Sequence, residues 1–159
     1  MEPMINSSKQ DIYKALKSNL SKAMKAGFYY QAIFIEYAII EDRCSSALRH
    51  AGVKYIEKDG KENKLSQKLN KLYSNSAFSE NYIRKRLSFA LIDEIRVWKK
   101  ERDALIHDLA NIPFDYQGVK IISDNGKELV RKLENSVRSI NAYMDKKKQN
   151  KNDIGGSDS

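Results

Sequence analysis

The sequence predicts an all-α protein, an up-and-down bundle of four to five helices packed as one domain. Three observations lead there. Breakers are scarce, with 2 prolines and 7 glycines in 159 residues, so long uninterrupted helices are favoured. Apolar residues recur every three or four positions in successive segments, the period of a helix with one buried face. Capping and stop residues fall at the edges of those segments. The hydrophobic share of 41% against 31% charged belongs to a soluble globular chain, and this length is enough to bury a core.

The first helix is expected over Lys9 to Lys25, with Ser7 or Ser8 as its cap, Gly27 as its stop, and Ile12, Leu16, Leu20 and Met24 on one face. The second runs from Tyr29 to about His50, before Gly52. Its main stripe is Ile33, Tyr37, Ile40, Cys44 and Leu48, and Phe34, Ile35, Ala38 and Ile39 add apolar surface elsewhere. A helix apolar nearly all round is central in its bundle, buried in an oligomer interface, or both; both are expected here. Val53 to Asn63, with Asp59-Gly60, reads as a loop. A short helix follows on Leu65, Leu69 and Leu72 and breaks at Ser74 to Ser76. A longer one spans Ser79 to about Leu109 with a kink near Ser88, and Pro113 stops it. Ile112 to Ile122 reads as an apolar loop packed over the bundle end. The last helix is expected from Asn125, where Glu128 completes a capping-box pattern, with Leu129, Leu133, Val137, Ile140 and Met144 as its stripe. Residues 1–145 thus form the domain, and 146–159, rich in Lys, Asn, Gly and Ser, form a disordered solubilising tail.

Composition also bounds function. A net charge of +8 favours polyanionic partners such as RNA. One cysteine, Cys44, allows no intrachain disulfide and fits a reducing compartment. With neither a signal-like N-terminus nor an apolar run long enough to span a bilayer, a cytoplasmic protein without membrane contact is expected. There is no Gly-rich phosphate loop, no Cys/His metal cluster and no Gly-x-Ser-x-Gly, so no metal or cofactor is expected.

With two histidines and one cysteine, few side chains can do acid–base work. The segment Arg102-Asp103-Ala104-Leu105-Ile106-His107 therefore stands out. At about 100° per residue, Arg102 falls inside the apolar stripe of Leu91, Ile95, Trp98, Leu105 and Leu109. A guanidinium there is costly unless it is paired or opens on a cleft. Histidine exchanges protons near neutrality, and arginine offers a planar donor fork matched to phosphate oxygens. The pair suits metal-free RNA cleavage through the ribose 2′-hydroxyl. Five positions apart on a helix, the two side chains straddle it by about 140°, so they share a ligand best in a cleft completed by a second copy. Asp103, four residues before His107, either holds the imidazole's tautomer or is a solvated acid. Glu36, at the flank of the second helix's stripe, is either a solvated edge or a partner that orients Arg102. Arg96, Lys99 and Lys100 share the polar side of this helix with His107 and are candidate contacts to an RNA backbone, as is Arg84-Lys85-Arg86. Tyr29, Tyr30 and Tyr116 are the candidate base-stacking rings; Tyr37 reads as core.

The pattern resembles the HEPN family, small all-α domains that usually dimerise, whose signature is Arg, a polar residue, and a helical run to His. Here that is Arg102, Asp103, Ala104-Leu105-Ile106 and His107. The resemblance implies a homodimer with two motifs in one groove and a metal-independent endoribonuclease of the kind found in toxin–antitoxin, phage-defence and RNA-processing systems, with an antitoxin-like or regulatory protein as a further partner. Arg43 and His50 fit the looser spacing, but Cys44 follows that arginine and His50 sits at a helix end, where it complements the dipole. A non-catalytic module of the same fold, binding RNA or a protein, is the alternative, and a plain helical interaction protein the third reading.

Overall fold

A computed structural model describes residues 8–111, 113 and 115–155. Six α-helices follow in order: α1 (Lys9–Ala26), α2 (Tyr29–His50), α3 (Leu65–Ser74), α4 (Asn81–Arg86), α5 (Phe89–His107) and α6 (Tyr116–Gly155), with a 3₁₀ turn at Ser76–Phe78. Among the described residues there is no strand, only an isolated antiparallel bridge between Ile56 and Glu62. Among the described residues the bundle is therefore all-α with six helices, against the expected four or five.

The first two helices start and stop where local chemistry directs. Ser8 accepts the Asp11 backbone N–H and caps α1. Gly27 ends it in the left-handed region at φ 75°, which only glycine enters at low cost. The helix expected over Ser79 to Leu109 is two helices, not one kinked helix. Leu87 leaves helical geometry at φ −102°, ψ 74°, and the Ser88 hydroxyl accepts the Leu91 N–H as the cap of α5.

The last helix starts nine residues before the expected Asn125. Its first turn is capped by Asp115, whose Oδ1 accepts the Gly118 N–H at 3.1 Å. Asn125 and Glu128 lie inside the helix, and Glu128 pairs with Arg131 instead of closing a capping box. Most of the expected apolar loop is thus helix. Val119 is buried and Ile121 faces outward, while Ile112 and Phe114 lie outside the described residues. Residues 146–155 of the expected tail continue α6 with exposed side chains, and 156–159 lie outside the described residues.

Helix α2 is the central element. It packs most extensively against α6 and also meets α1 and α3; α5 packs on α6 and α3. Ala32, Ile33, Ile39, Ile40, Cys44, Ala47 and Leu48 are all buried, so much of its apolar surface is spent within one chain. Phe34, half exposed on the α5 side of the helix, and the exposed Ala38 are exceptions. The loop before α3 is fastened by a buried lysine. Lys68 Nζ lies 3.2 Å from Glu41 and 2.5 Å from Glu62, and Ser45 donates to Glu62 at 2.8 Å. Among the described residues no helix is long and apolar enough to cross a membrane.

Candidate active site

The α5 stripe buries Leu91, Ile95 and Trp98 as a core-facing row. Arg102 comes one turn later, where the row reaches the bundle edge, and its side chain keeps 18% exposure. Two contacts offset the cost of placing a charge there. The guanidinium carbon lies 4.1 Å from the Tyr37 ring centre, a cation–π distance, and Nη1 donates to Asp103 Oδ1 at 3.0 Å. Phe34 flanks the same guanidinium at 5.7 Å. Nε is buried with no hydrogen-bond partner. Tyr37 packs against the core, as its sequence position indicated, but it is also the seat of Arg102. Only the meeting of two helices reveals that role. The available signal was that two facing stripes each carry one amphipathic residue.

Asp103 bridges two cations, accepting from Lys99 at 2.6 Å and from Arg102. Burial works against its charge, but the hydrogen bonds from Lys99 and Arg102 outweigh that and hold the carboxyl below its ordinary range. It does not hold His107. The His107 Nδ1 faces Asp108 Oδ1 at 3.2 Å, and the imidazole is 85% exposed at the last residue of α5. Arg102 is therefore positioned by the protein, whereas His107 reaches into solvent from the helix end.

Glu36 and Arg102 are not brought together. Glu36 points to α6, where it is fully buried beside Gly126 and Trp98. A Cβ on Gly126 would stand 2.6 Å from its Oε1, so only glycine leaves room. Burial, reinforced by the nearby charge of Asp124, raises its pKa to about 9, so the group is neutral in ordinary buffer.

The basic residues fall on one flank of α5. A groove of about 310 Å³ between α3 and α5 is lined by Ser66, Asn70, Arg96, Lys99, Lys100 and Asp103 among others. Arg96 is held in it by Asp93 and Asn70, at 2.9 and 2.8 Å. The opposite flank has a different character. A cleft of about 570 Å³ between α5 and α6 has an apolar wall that includes Leu105 and Ile122. Glu101, Asp108 and Asp115 also line it, with no basic residue among its described lining. An anionic strand is repelled there and attracted on the α3 side.

The other sequence candidates have structural partners. His50 pairs with Asp145 at 3.0 Å and Arg43 with Asp42 at 2.5 Å. The Arg84 guanidinium donates to the Leu72, Tyr73 and Leu87 carbonyls, and Arg86 lies over Tyr82. Tyr29 and Tyr116 pack against each other with ring centres 5.2 Å apart. Among the described residues, no group of three or more His, Cys, Asp or Glu side chains is placed to hold a metal ion. In comparisons with known proteins, no family model, curated protein or solved structure matches the chain.

Proposed function

We propose that the chain is a HEPN-like, metal-independent endoribonuclease that cuts single-stranded or loop RNA as a homodimer. The observation that supports it most is the seating of Arg102. A guanidinium at the rim of the core, stacked on Tyr37 and steered by Asp103, is a preorganised donor fork beside a basic groove. In the proposed reaction a 2′-hydroxyl loses its proton to His107 and its oxygen attacks the adjacent phosphorus. The bond from phosphorus to the 5′-oxygen breaks, and that oxygen takes a proton from the partner subunit's His107. The products are a 2′,3′-cyclic phosphate and a 5′-hydroxyl. Arg102 binds the scissile phosphate and stabilises the charge that builds on it; Asp103 orients Arg102. A dimer supplies both imidazoles, one as base and one as acid. A cytoplasmic toxin or phage-defence effector restrained by an antitoxin-like partner belongs to the same proposal.

The exposure of His107 favours a second reading, a non-catalytic module of the same fold that binds RNA or a protein. One assay separates the two. A quenched-fluorophore RNA panel is incubated in EDTA with the parent, His107→Ala and Arg102→Ala, at helicity matched by circular dichroism. The nuclease reading expects cutting that leaves cyclic phosphate ends, fails on 2′-deoxy substrates, and falls about a hundred-fold or more in either variant. Equal cutting by parent and His107→Ala rules out the assigned site. Binding without cutting by the parent favours the module, and melting of Arg102→Ala makes the arginine structural.

A further inference from the structure

Helix α5 carries a second pattern besides its apolar stripe. Phe89, Arg96, Lys100, Asp103 and His107 succeed one another at steps of seven, four, three and four residues, so they lie along one line of the helix surface. At 1.5 Å per residue that line is about 27 Å long. One end is aromatic. Phe89 is 44% exposed, and its ring centre lies 4.5 Å from that of Tyr73 on α3. Two arginines grip this ring pair. The Arg84 guanidinium is 4.1 Å from the Phe89 centre, and that of Arg96 is 4.6 Å from the Tyr73 centre. Both are fixed by their own hydrogen bonds, Arg84 to three backbone carbonyls and Arg96 to Asp93 and Asn70. An exposed ring held this firmly is a preformed surface.

The middle of the line is the basic groove. Its lysines and arginines are Arg96, Lys99 and Lys100, with Arg84 at the aromatic end; the carboxylates along it are Asp93 and Asp103. Asp93 is taken by Arg96, and Asp103 by Lys99 and Arg102. Lys100 is exposed and has no carboxylate partner among the described residues. The far end is His107.

We infer that this line is a track for single-stranded RNA, with a base stacked on the Phe89–Tyr73 pair and phosphates running along Arg96 and Lys100 toward Arg102 and His107. What happens at the far end rests on the ribonuclease reading; the track itself rests on the rings and the groove. A ring face accepts any base that is free of pairing, so the fit is to unpaired strands and tolerates sequence. A duplex keeps its bases stacked inside and offers the rings nothing. The stacking surface is then Phe89 and Tyr73, which adjoin the basic groove through Arg96, and not Tyr29 and Tyr116 at the starts of α2 and α6.

The test measures fluorescence anisotropy with a fluorescein-labelled 2′-O-methyluridine decamer, which cannot be cut because it lacks a free 2′-hydroxyl, and with its duplex. The parent is expected to prefer the single strand at least ten-fold. Phe89→Ala should weaken that binding ten- to a hundred-fold with an unchanged salt slope, and Phe89→Trp should keep it. Lys100→Gln should lower the slope of log K against log salt by about 0.7. Unmodified RNA is scored for cleavage in parallel. If Phe89→Ala binds like the parent, or the parent prefers duplex, the track is wrong, and cleavage that still depends on His107 leaves the nuclease standing. If Phe89→Ala weakens binding and the parent cuts nothing, the track stands and the nuclease falls. No binding by the parent at low salt overturns both.

Discussion

Replacing Glu36 by glutamine should change the pH dependence of stability in a way no exposed acid can. In the folded protein this carboxyl is buried, and burial, outweighing the nearby Ser123 hydroxyl and Lys127 charge, pushes its pKa up to about 9 from its ordinary 4.5. The unfolded chain therefore releases the proton through a pH range where the folded chain keeps it. Stability from this group is fully present below pH 4.5 and is lost as pH rises through 9. Between pH 4.5 and pH 7 the loss is about 3 kcal/mol at 1.36 kcal/mol per unit. That is a large part of the roughly 5–15 kcal/mol that keeps a domain folded. Glutamine has nearly the same shape and no proton to lose. The gap in unfolding free energy between Glu36→Gln and the parent should thus widen by about 3 kcal/mol over that window, or roughly 10 °C in Tm. Asp103 and Asp42, held below their ordinary range by hydrogen bonds that outweigh burial, destabilise both proteins equally in acid and cancel in the difference. Urea unfolding followed by circular dichroism at pH 4.5, 6, 7 and 8.5 measures it, with Trp98 fluorescence as a local probe of the same contact. Curves that stay parallel within about 0.5 kcal/mol across those four values would refute the assignment of a neutral, buried carboxyl at the α2–α6 contact.

Two further substitutions probe what fixes the α5 environment. Lys68→Met keeps the buried volume but leaves Glu41 and Glu62 facing each other without their shared cation; both acids reach solvent, so a loss of about 2 kcal/mol in urea unfolding is expected, together with faster amide exchange in the 53–63 loop. Ser88→Ala removes the acceptor for the Leu91 N–H and should cost about 1 kcal/mol, whereas Ser88→Asp should keep the cap and match the parent's Tm within a degree or two.

How much of this was legible in the sequence follows the range of the interactions. The ends of α1 and the span of α2 depend on Ser8, Gly27 and an apolar period, all local, and they fall where expected within a residue. The start of α6 was also written locally, in Asp115 two residues after Pro113, but the apolar richness of Ile112 to Ile122 masked it. That richness arises because the first turns of α6 face the core with Val119 and carry Ile121 on the outside. The oddness of Arg102 within its stripe could be read; the ring beneath it could not, because Tyr37 and Arg102 meet only when α2 and α5 pack. Glu36 shows the same limit from the other side. It is the immediate sequence neighbour of Tyr37, yet a step of about 100° turns it from α5 to α6, and no periodicity argument assigns which neighbour lies there.

Arg102 and Glu36 are two polar groups on core-facing stripes, and their different fates decide how the candidate site is controlled. Arginine cannot shed its proton, so the fold must meet its charge, which it does with a ring and a carboxylate. Glutamic acid can take a proton, and Glu36 meets burial by becoming neutral. A neutral acid turned away from Arg102 exerts no useful pull on it. The orienting charge is Asp103, and its carboxyl stays ionised because Lys99 and Arg102 both donate to it. Asp103 does not titrate in the range where an imidazole works, and Tyr37 has its hydroxyl pushed upward, chiefly by burial. The seat of Arg102 is thus constant in charge through neutral pH. Any limb in a pH–rate profile between pH 5 and 8 then arises outside this seat, so Asp103→Asn should lower the rate without changing the shape of the profile.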